Sequence, residues 1–489
     1  MKLFQKDANF YKKVLVLALP IALQSLITVG VNMLDTIMLG RIGHELAPEI
    51  GEEASQIVSS NCVSAAAFAN SFINIYHILC MGLGMGASVL VSRFWGMKQH
   101  RSDDSTINDK EDPDKAMKQT VALMLRFTLS LALIFACLSF FIPKAIISTY
   151  VKLDDPQSAD IINRGVGYLR YSIPTFFFLG VSLVVTIVLR SVGQALYPLF
   201  VSIAALFVNL GGNYMLIFGK WGAPRMEVEG AALATLIARV FEATCILVYL
   251  LIIDKKIRFR IKDLFMSCRS LIKEYVRICI PVFISDGLLA FGNNTFQQII
   301  GKLGYGTANS ITNVTQQLST VGIQGVCQAG AIVTGQTLGT GDRERTMKQG
   351  WMFLGLGIAL GTVSAAFIFG FSPLIVKGYD VMQADKNIAL ILMQAISLII
   401  IFQATNSIMT KGVLRGGGDT KMLMVMDNVF LWAIALPLGW LAGFVFHLTP
   451  FWVYIFLKSD QIIKAVWCFF RLRSGKWIKK ISTGSKAAQ

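Results

Sequence analysis

The chain has 489 residues, of which 54% are hydrophobic and 15% charged, and its formal net charge is +16. Soluble proteins carry about 25% charged residues, so composition excludes an ordinary soluble domain and points to a polytopic membrane protein. The basic residues cluster in short loops between apolar spans, the positive-inside pattern, so the net charge is not read as a nucleic-acid-binding surface.

Residues 1–13 form a basic amphipathic start carrying Lys2, Lys6, Lys12 and Lys13. Val14 to Gly43 follows, VLVLALPIALQSLITVGVNMLDTIMLGRIG. It is long enough to span a ~30 Å hydrocarbon core and too long for a cleaved leader, so it is expected to stay as an anchor. Near its outer end sits Asp35. An intramembrane carboxylate costs about 2.5–3.5 kcal/mol on insertion scales and is a functional-site candidate by default. His44 to Asn61 reads as a polar, acidic loop with Glu45, Glu49, Glu52 and Glu53. A second helix over about 62–92 contains MGLGMGAS, whose small residues suit close helix packing. Residues 93–118 read as a solvated cytoplasmic loop, a third helix covers about 119–142, and a fourth, about 166–189 with Pro174 inside, leads into LRSVGQALYP. The fifth, about 197–218, carries Asn209 and Asn213, and the sixth, about 230–252, opens with GAALAT.

Asp254 to Lys273 is the most basic loop and is expected to face the cytoplasm. Six further helices follow at about 275–300, 311–338, 347–371, 388–414, 422–446 and 448–470, before a basic tail from Arg471. Twelve spans place both termini on one side, and the charges put that side inside. The expected division is a first six-helix half over 1–253, a linker over 254–274, a second half over 275–470 and a cytoplasmic tail over 471–489.

An internal repeat supports that division. Pro20, Gly40 and Gly43 recur as Pro281, Gly301 and Gly304, an offset of 261 residues. GMKQ at Gly96 recurs as GTGD at Gly339 with an offset of 243, and LRSVGQ at Arg190 as LRGGGD at Arg415 with an offset of 225. Asp35 has no counterpart, because Phe296 stands in its place. Both halves begin inside and have six spans, so the repeat is parallel, about an axis along the membrane normal, with a central cleft between the halves.

The eight cysteines (Cys62, Cys80, Cys137, Cys245, Cys268, Cys279, Cys327 and Cys468) form no CxxC pair and read as small hydrophobes. His44, His77, His100 and His447 are scattered. No catalytic or cofactor motif emerges, so the chain is not read as an enzyme. The polar residues that do concentrate are Asn32 and Asp35, three apart on the first helix, Asn209 and Asn213, four apart on one face of the fifth, and Thr235 on the sixth. Their depths allow the side chains to meet. A carboxylate, amide carbonyls and a hydroxyl are hard oxygen ligands, suited to Na⁺ or to a proton held on the acid, or else they form an interhelical polar clamp. Asp286 is a second acidic candidate, either a site of its own or a structural acid with a polar partner. Asp427 is expected to snorkel, and Arg239 and Glu242 to pair.

Over nearly its whole length the chain resembles the multidrug and toxic compound extrusion (MATE) family. The resemblance lies in P…LDTIMLGRIG in the first helix, the LRSVGQ/LRGGGD pair, N-LGG-N in the fifth helix and EGAALAT at the sixth. It implies antiport of organic, often cationic, compounds against Na⁺ or H⁺. Asp35, Asn209, Asn213 and Thr235 then fall on the family's first-half cation site. One bacterial branch has further acids in helices 7 and 10; here Ala404, with Thr405 and Asn406, and Leu289 stand at those positions. The resemblance also implies a multi-pass protein of the inner (plasma) membrane, working as a monomer on small organic substrates, with no cofactor besides the coupling ion. The alternative is a lipid-linked oligosaccharide flippase of the same broad superfamily.

Overall fold

The structure is a computed structural model that describes residues 7–103, 112–151, 157–377 and 382–479. Among these residues the regular structure is helical, and ten helices are long and apolar enough to cross a membrane. In chain order the spans of the first half are α1 (Ala8–Gly40), α2 (Glu52–Asp103), α3 (Pro113–Phe141), α4 (Ile173–Ser191), α5 (Leu196–Phe218) and α6 (Glu227–Val248). Those of the second are α7 (Arg269–Lys302), α8 (Gly306–Gly339), α9 (Arg343–Lys377), α10 (Gln383–Ser407, continued by a π-helical turn Ile408–Leu414), α11 (Thr420–Val429, running on to Val445) and α12 (Pro450–Leu457 with Ser459–Ser474). Two of these twelve are not among those ten: α8 is too polar, and α12 is broken at Lys458 into helices of 8 and 16 residues. The α8 sequence is rich in Ser, Thr, Asn and Gln, yet most of its residues are buried against α1, α2, α9 and α10. A helix surrounded by protein has no need of a lipid-compatible surface.

Three segments differ from expectation. The acidic stretch after α1 is helical: Ile42–Ile50 forms a short helix, and Gly51 turns the chain at φ +84° into α2. Glu52 and Glu53 occupy the first turn of α2, where carboxylates complement the positive end of the helix dipole. Glu45 and Glu49 reach Lys220 (3.0 Å) and Arg225 (3.4 Å) beyond α5. The fourth crossing breaks at Ser172 into Ser158–Tyr171 and α4, with Pro174 in the first turn of α4, where its missing N–H leaves no hydrogen bond unmade. The stretch expected as a loop over 93–118 is helical at 93–103, the end of α2, and at 113–118, the start of α3, where Asp112 caps the helix; the polar run 104–111 lies outside the described residues.

The packing has the symmetry that the repeat requires. Helix α1 crosses α8, and its mate α7 crosses α2. Gly325 of α8 lies against Ala18 and Ala22 of α1, while Gly82 of α2 lies against Phe283 of α7. Under the 243- and 261-residue offsets the contacts Gly325–Ala22 and Gly82–Phe283 exchange with each other. At the basic end, α2 crosses α8: a Cβ at Gly96 would strike the backbone of Gln336, and one at Gly339 would strike that of Arg93. These two contacts also exchange under the 243-residue offset, which places a pseudo-twofold axis along the bundle. The two six-helix halves are thus parallel repeats around a central cleft. The turns after α4 and α10 place Gly193 (φ +80°) and Gly418 (φ +88°) at the same repeat position, where a side chain would strain the backbone.

Between the halves, residues 254–268 run along the basic end. The Asp254 carboxylate accepts from the backbone N–H groups of Lys256, Ile257 and Arg258. Lys256 donates to Val192 O and lies 5.4 Å from the Trp95 ring. Burial lowers its pKa, and Asp254 opposes that shift. The tail returns to the same end: Arg93 donates to Lys479 O and Gly417 O, and Trp477 is fully buried against Gly417. Disulfides are absent among the described residues.

Candidate functional site

The polar residues of the first half meet as their spacing predicts. Asn213 Nδ2 donates to Asp35 Oδ1 at 2.5 Å and to Asn209 Oδ1 at 3.3 Å, and Asn209 Nδ2 donates to Thr235 Oγ1 at 3.4 Å. Asn209 is 3% exposed and Asn213 0%. Close packing of α5 on α6 makes this possible, since Gly212 lies directly against Ala234. Asn32 is exposed and joins no side-chain hydrogen bond to the group; its carbonyl accepts from Thr36. Two residues absent from the sequence reading complete the pocket. Tyr168, buried, donates to Asn70 Oδ1 at 3.1 Å and lies within hydrogen-bonding reach of Thr235 and electrostatic range of Asp35. Nothing local marks either residue as functional, because both sit in otherwise ordinary helical segments.

The chemistry of this pocket is acceptor-rich. Asn213 spends both its donors on Asp35 and Asn209, and its own Oδ1 is buried without a partner. Asp35 forms no ion pair among the described residues. Four other acids of the helices are neutralised: Glu242 by Arg239 at 2.7 Å, Asp286 by Arg415 at 3.0 Å, Asp427 by Lys464 at 3.5 Å and Asp460 by the same lysine at 3.0 Å. Asp427 is therefore a buried acid within the second half and does not snorkel to the interface, because Lys464, 3% exposed on α12, supplies the counter-charge that makes burial tolerable. Ala404 is fully buried, and beside it Asn406 Nδ2 donates to Gln461. Groups of three or more His, Cys, Asp or Glu side chains able to hold a metal are absent among the described residues.

A second polar space lies in the cleft. A cavity of about 290 Å³ is lined by residues of α2, α7, α8 and α10, among them His77, Met81, Asp286, Gln328, Lys411 and Arg415. Asp286 receives both terminal nitrogens of Arg415 in a fork, at 3.0 and 3.3 Å. Arg190, the repeat mate of Arg415, has no acid to meet and donates instead to Gln328 Oε1 at 2.6 Å and to Gln24 Oε1. From Gln24 hydrogen bonds continue through Ser202 to Glu242 and Arg239, which lies in electrostatic range of Asp35. A continuous polar chain thus joins the wall of the cleft to the neighbourhood of the first-half pocket.

A profile of the MatE family matches residues 111–215 and 281–441, more than half of the chain. The chain belongs to the MatE family. An uncharacterized transporter of Bacillus subtilis, YisQ, is 24% identical over 436 residues, covering 86% of this chain and 89% of that one. A probable multidrug resistance protein NorM of Listeria monocytogenes is 24% identical over 498 residues, covering 98% and 97%. Among solved structures, an outward-facing multidrug resistance MATE family transporter of the MOP superfamily superposes with a TM-score of 0.77 at 17% identity, over 95% of this chain and 96% of that one. That likeness extends to the whole MATE fold. The chain is accordingly a membrane transporter of the multidrug efflux type, and its homologues are named as transporters, not as enzymes.

Proposed function

We propose that this MatE-family chain is a cation-coupled antiporter that exports organic compounds by alternating access, with Na⁺ or H⁺ as the coupling ion and Asp35, Asn209, Asn213 and Thr235 as its site. The observation that carries this reading is the unpaired state of Asp35, whereas Glu242, Asp286, Asp427 and Asp460 each have a cationic partner. An intramembrane carboxylate without a counter-charge is costly, and the orphaned Asn213 Oδ1 beside it is a further acceptor in want of a positive partner. A proton or a monovalent cation relieves both. Asn32 lies on the exposed side of α1, so we leave it outside the set. In this reading Asp286 serves the cleft through Arg415 and does not act as a second coupling site.

The basic end, closed by the α2–α8 crossing, faces the cytoplasm, as do both termini, by the asymmetry of Lys and Arg. The cleft then opens outward in this arrangement. Loading at Asp35 shifts the balance between arrangements only if the ion binds one of them more tightly, and the chain from Arg239 to Gln328 is a contiguous route for that bias. The working unit is a single chain in the plasma membrane. Reconstitution into proteoliposomes with imposed Na⁺ or H⁺ gradients tests the reading. Gradient-driven efflux is expected in the wild type under at least one gradient and a loss of it in Asp35→Asn. Wild-type rates in that variant under both gradients would make Asp35 structural.

A further inference from the structure

The lining of the cleft differs in charge from the Asp35 pocket, since its free charged group is a cation. Both oxygens of its acid, Asp286, are occupied by the Arg415 fork. Gln328 has its Oε1 taken by Arg190, so only its NH₂ group remains to offer. Lys411 forms neither a hydrogen bond nor an ion pair among the described residues, yet it lines the cavity. The carboxylate in electrostatic range behind it, Asp427, is already held by Lys464. Arg190, on the far side of Gln328, is likewise satisfied by neutral amides alone. The charge turned toward the cavity is thus a single ammonium with no carboxylate of its own, set among the neutral amides of Gln328, Gln324 and Asn293.

The backbone at Lys411 also differs from that of its repeat mate. It lies in the π-helical turn Ile408–Leu414, whereas the repeat-related segment of α4 is regular α-helix and has Thr186 at the corresponding position. π-Turns inside α-helices concentrate at functional sites. An extra residue in the turn rotates the side chains that follow relative to the helix before it. The cation and the distortion that presents it are both private to the second half, as Asp35 is private to the first.

We propose that the cleft binds amphipathic organic compounds through a carboxylate, with Lys411 as the ion-pair partner and Gln328 as a hydrogen-bond donor beside it. The substrates are organic anions or zwitterions whose apolar body lies against Met81 and the other apolar lining. This rests on the cleft being the substrate chamber of the exporter. A ligand carboxylate here pairs with a half-buried ammonium in the wall of a cleft, where an ion pair is stronger than on an open surface. A compound carrying only a positive charge meets Lys411 as a like charge and finds no free carboxylate.

Two dyes of one scaffold test this: dansylglycine, which carries a carboxylate, and a dansylamide bearing a trimethylammonium group. Binding is read from dansyl emission with the purified full-length protein in lipid nanodiscs. The expected result is tighter binding of dansylglycine. Lys411→Gln should weaken it roughly tenfold or more, about 1.4 kcal/mol, without weakening the cationic dye, and Lys411→Arg should retain it. Met81→Trp, which fills the cavity, should remove binding of either dye. Tighter binding of the cationic dye to the wild type overturns the proposal, as does unchanged dansylglycine affinity in Lys411→Gln. If Met81→Trp lowers affinity while Lys411→Gln does not, the cleft remains the chamber and only the carboxylate assignment falls. If Met81→Trp leaves both affinities unchanged, the cleft is not the chamber and the proposal falls with that reading.

Discussion

Replacing Asp35 by asparagine keeps the side-chain volume and one acceptor oxygen for Asn213, so helix packing around α1, α5 and α6 should survive while the charge is lost. Ligand-coupling free energies are typically about 1–3 kcal/mol, and gradient-driven efflux should fall accordingly, by roughly tenfold or more. Ala404→Asp should not restore it, because that side chain is enclosed in the second half, packed against Gly361 of α9. Asp286→Asn behaves differently. It strands Arg415, 3% exposed, without its counter-charge, and breaking a buried pair costs about 3–5 kcal/mol. We expect a clear drop in melting temperature for Asp286→Asn, measured in detergent, against a small one for Asp35→Asn. Equal losses of stability in the two variants would contradict the assignment of one acid to coupling and the other to structure.

Helix crossings are set by single glycines. At the basic end α2 and α8 approach so closely that neither Gly96 nor Gly339 has room for a Cβ. Both glycines face backbone, which cannot swing aside as a flexible side chain can. Gly339→Leu should therefore force the crossing apart and open the cleft at that end. A cysteine placed at Ser92, buried against Gly335 in the wild type, should react with a membrane-permeant maleimide several times faster in the Gly339→Leu background, on the scale of a ~1 kcal/mol shift in the opening equilibrium. Unchanged reactivity would mean that the crossing does not close the cleft. The π-turn in α10 and the break before α4 show the same sensitivity of a helix to its context: one carries Lys411, and the other is placed by a proline.

Across the whole molecule, the orientation proposed from the positive-inside asymmetry puts residues 254–268 in the cytoplasm together with the α2–α8 crossing. In a cysteine-free background, Asp263→Cys should stay unlabelled by an impermeant maleimide in intact cells and react after permeabilisation. Ready labelling from outside would invert the bundle and, with it, the direction in which the cleft opens.

The sequence by itself determined the membrane class, the number of spans, the parallel repeat and the grouping of Asp35 with Asn209, Asn213 and Thr235. Each of these follows from local regularities: apolar length, fixed offsets between Pro20 and Pro281 or Arg190 and Arg415, and the three- and four-residue spacing of a helix face. The tertiary structure alone decided which acids are free. Glu242 finds Arg239 one turn away, and that pairing was legible; Asp286 finds Arg415 at a separation of 129 residues, and Asp427 finds Lys464 on the following span. Tyr168 and Asn70 join the first-half pocket from helices that carry no local signal. The acidic stretch near 45–53 looked like a loop because composition weighs polarity, whereas cation partners beyond α5 and a favourable helix dipole decide its conformation. The charge of the cleft is of the same kind: it depends on which carboxylates are already occupied, and occupancy is a property of side chains brought together from distant parts of the chain.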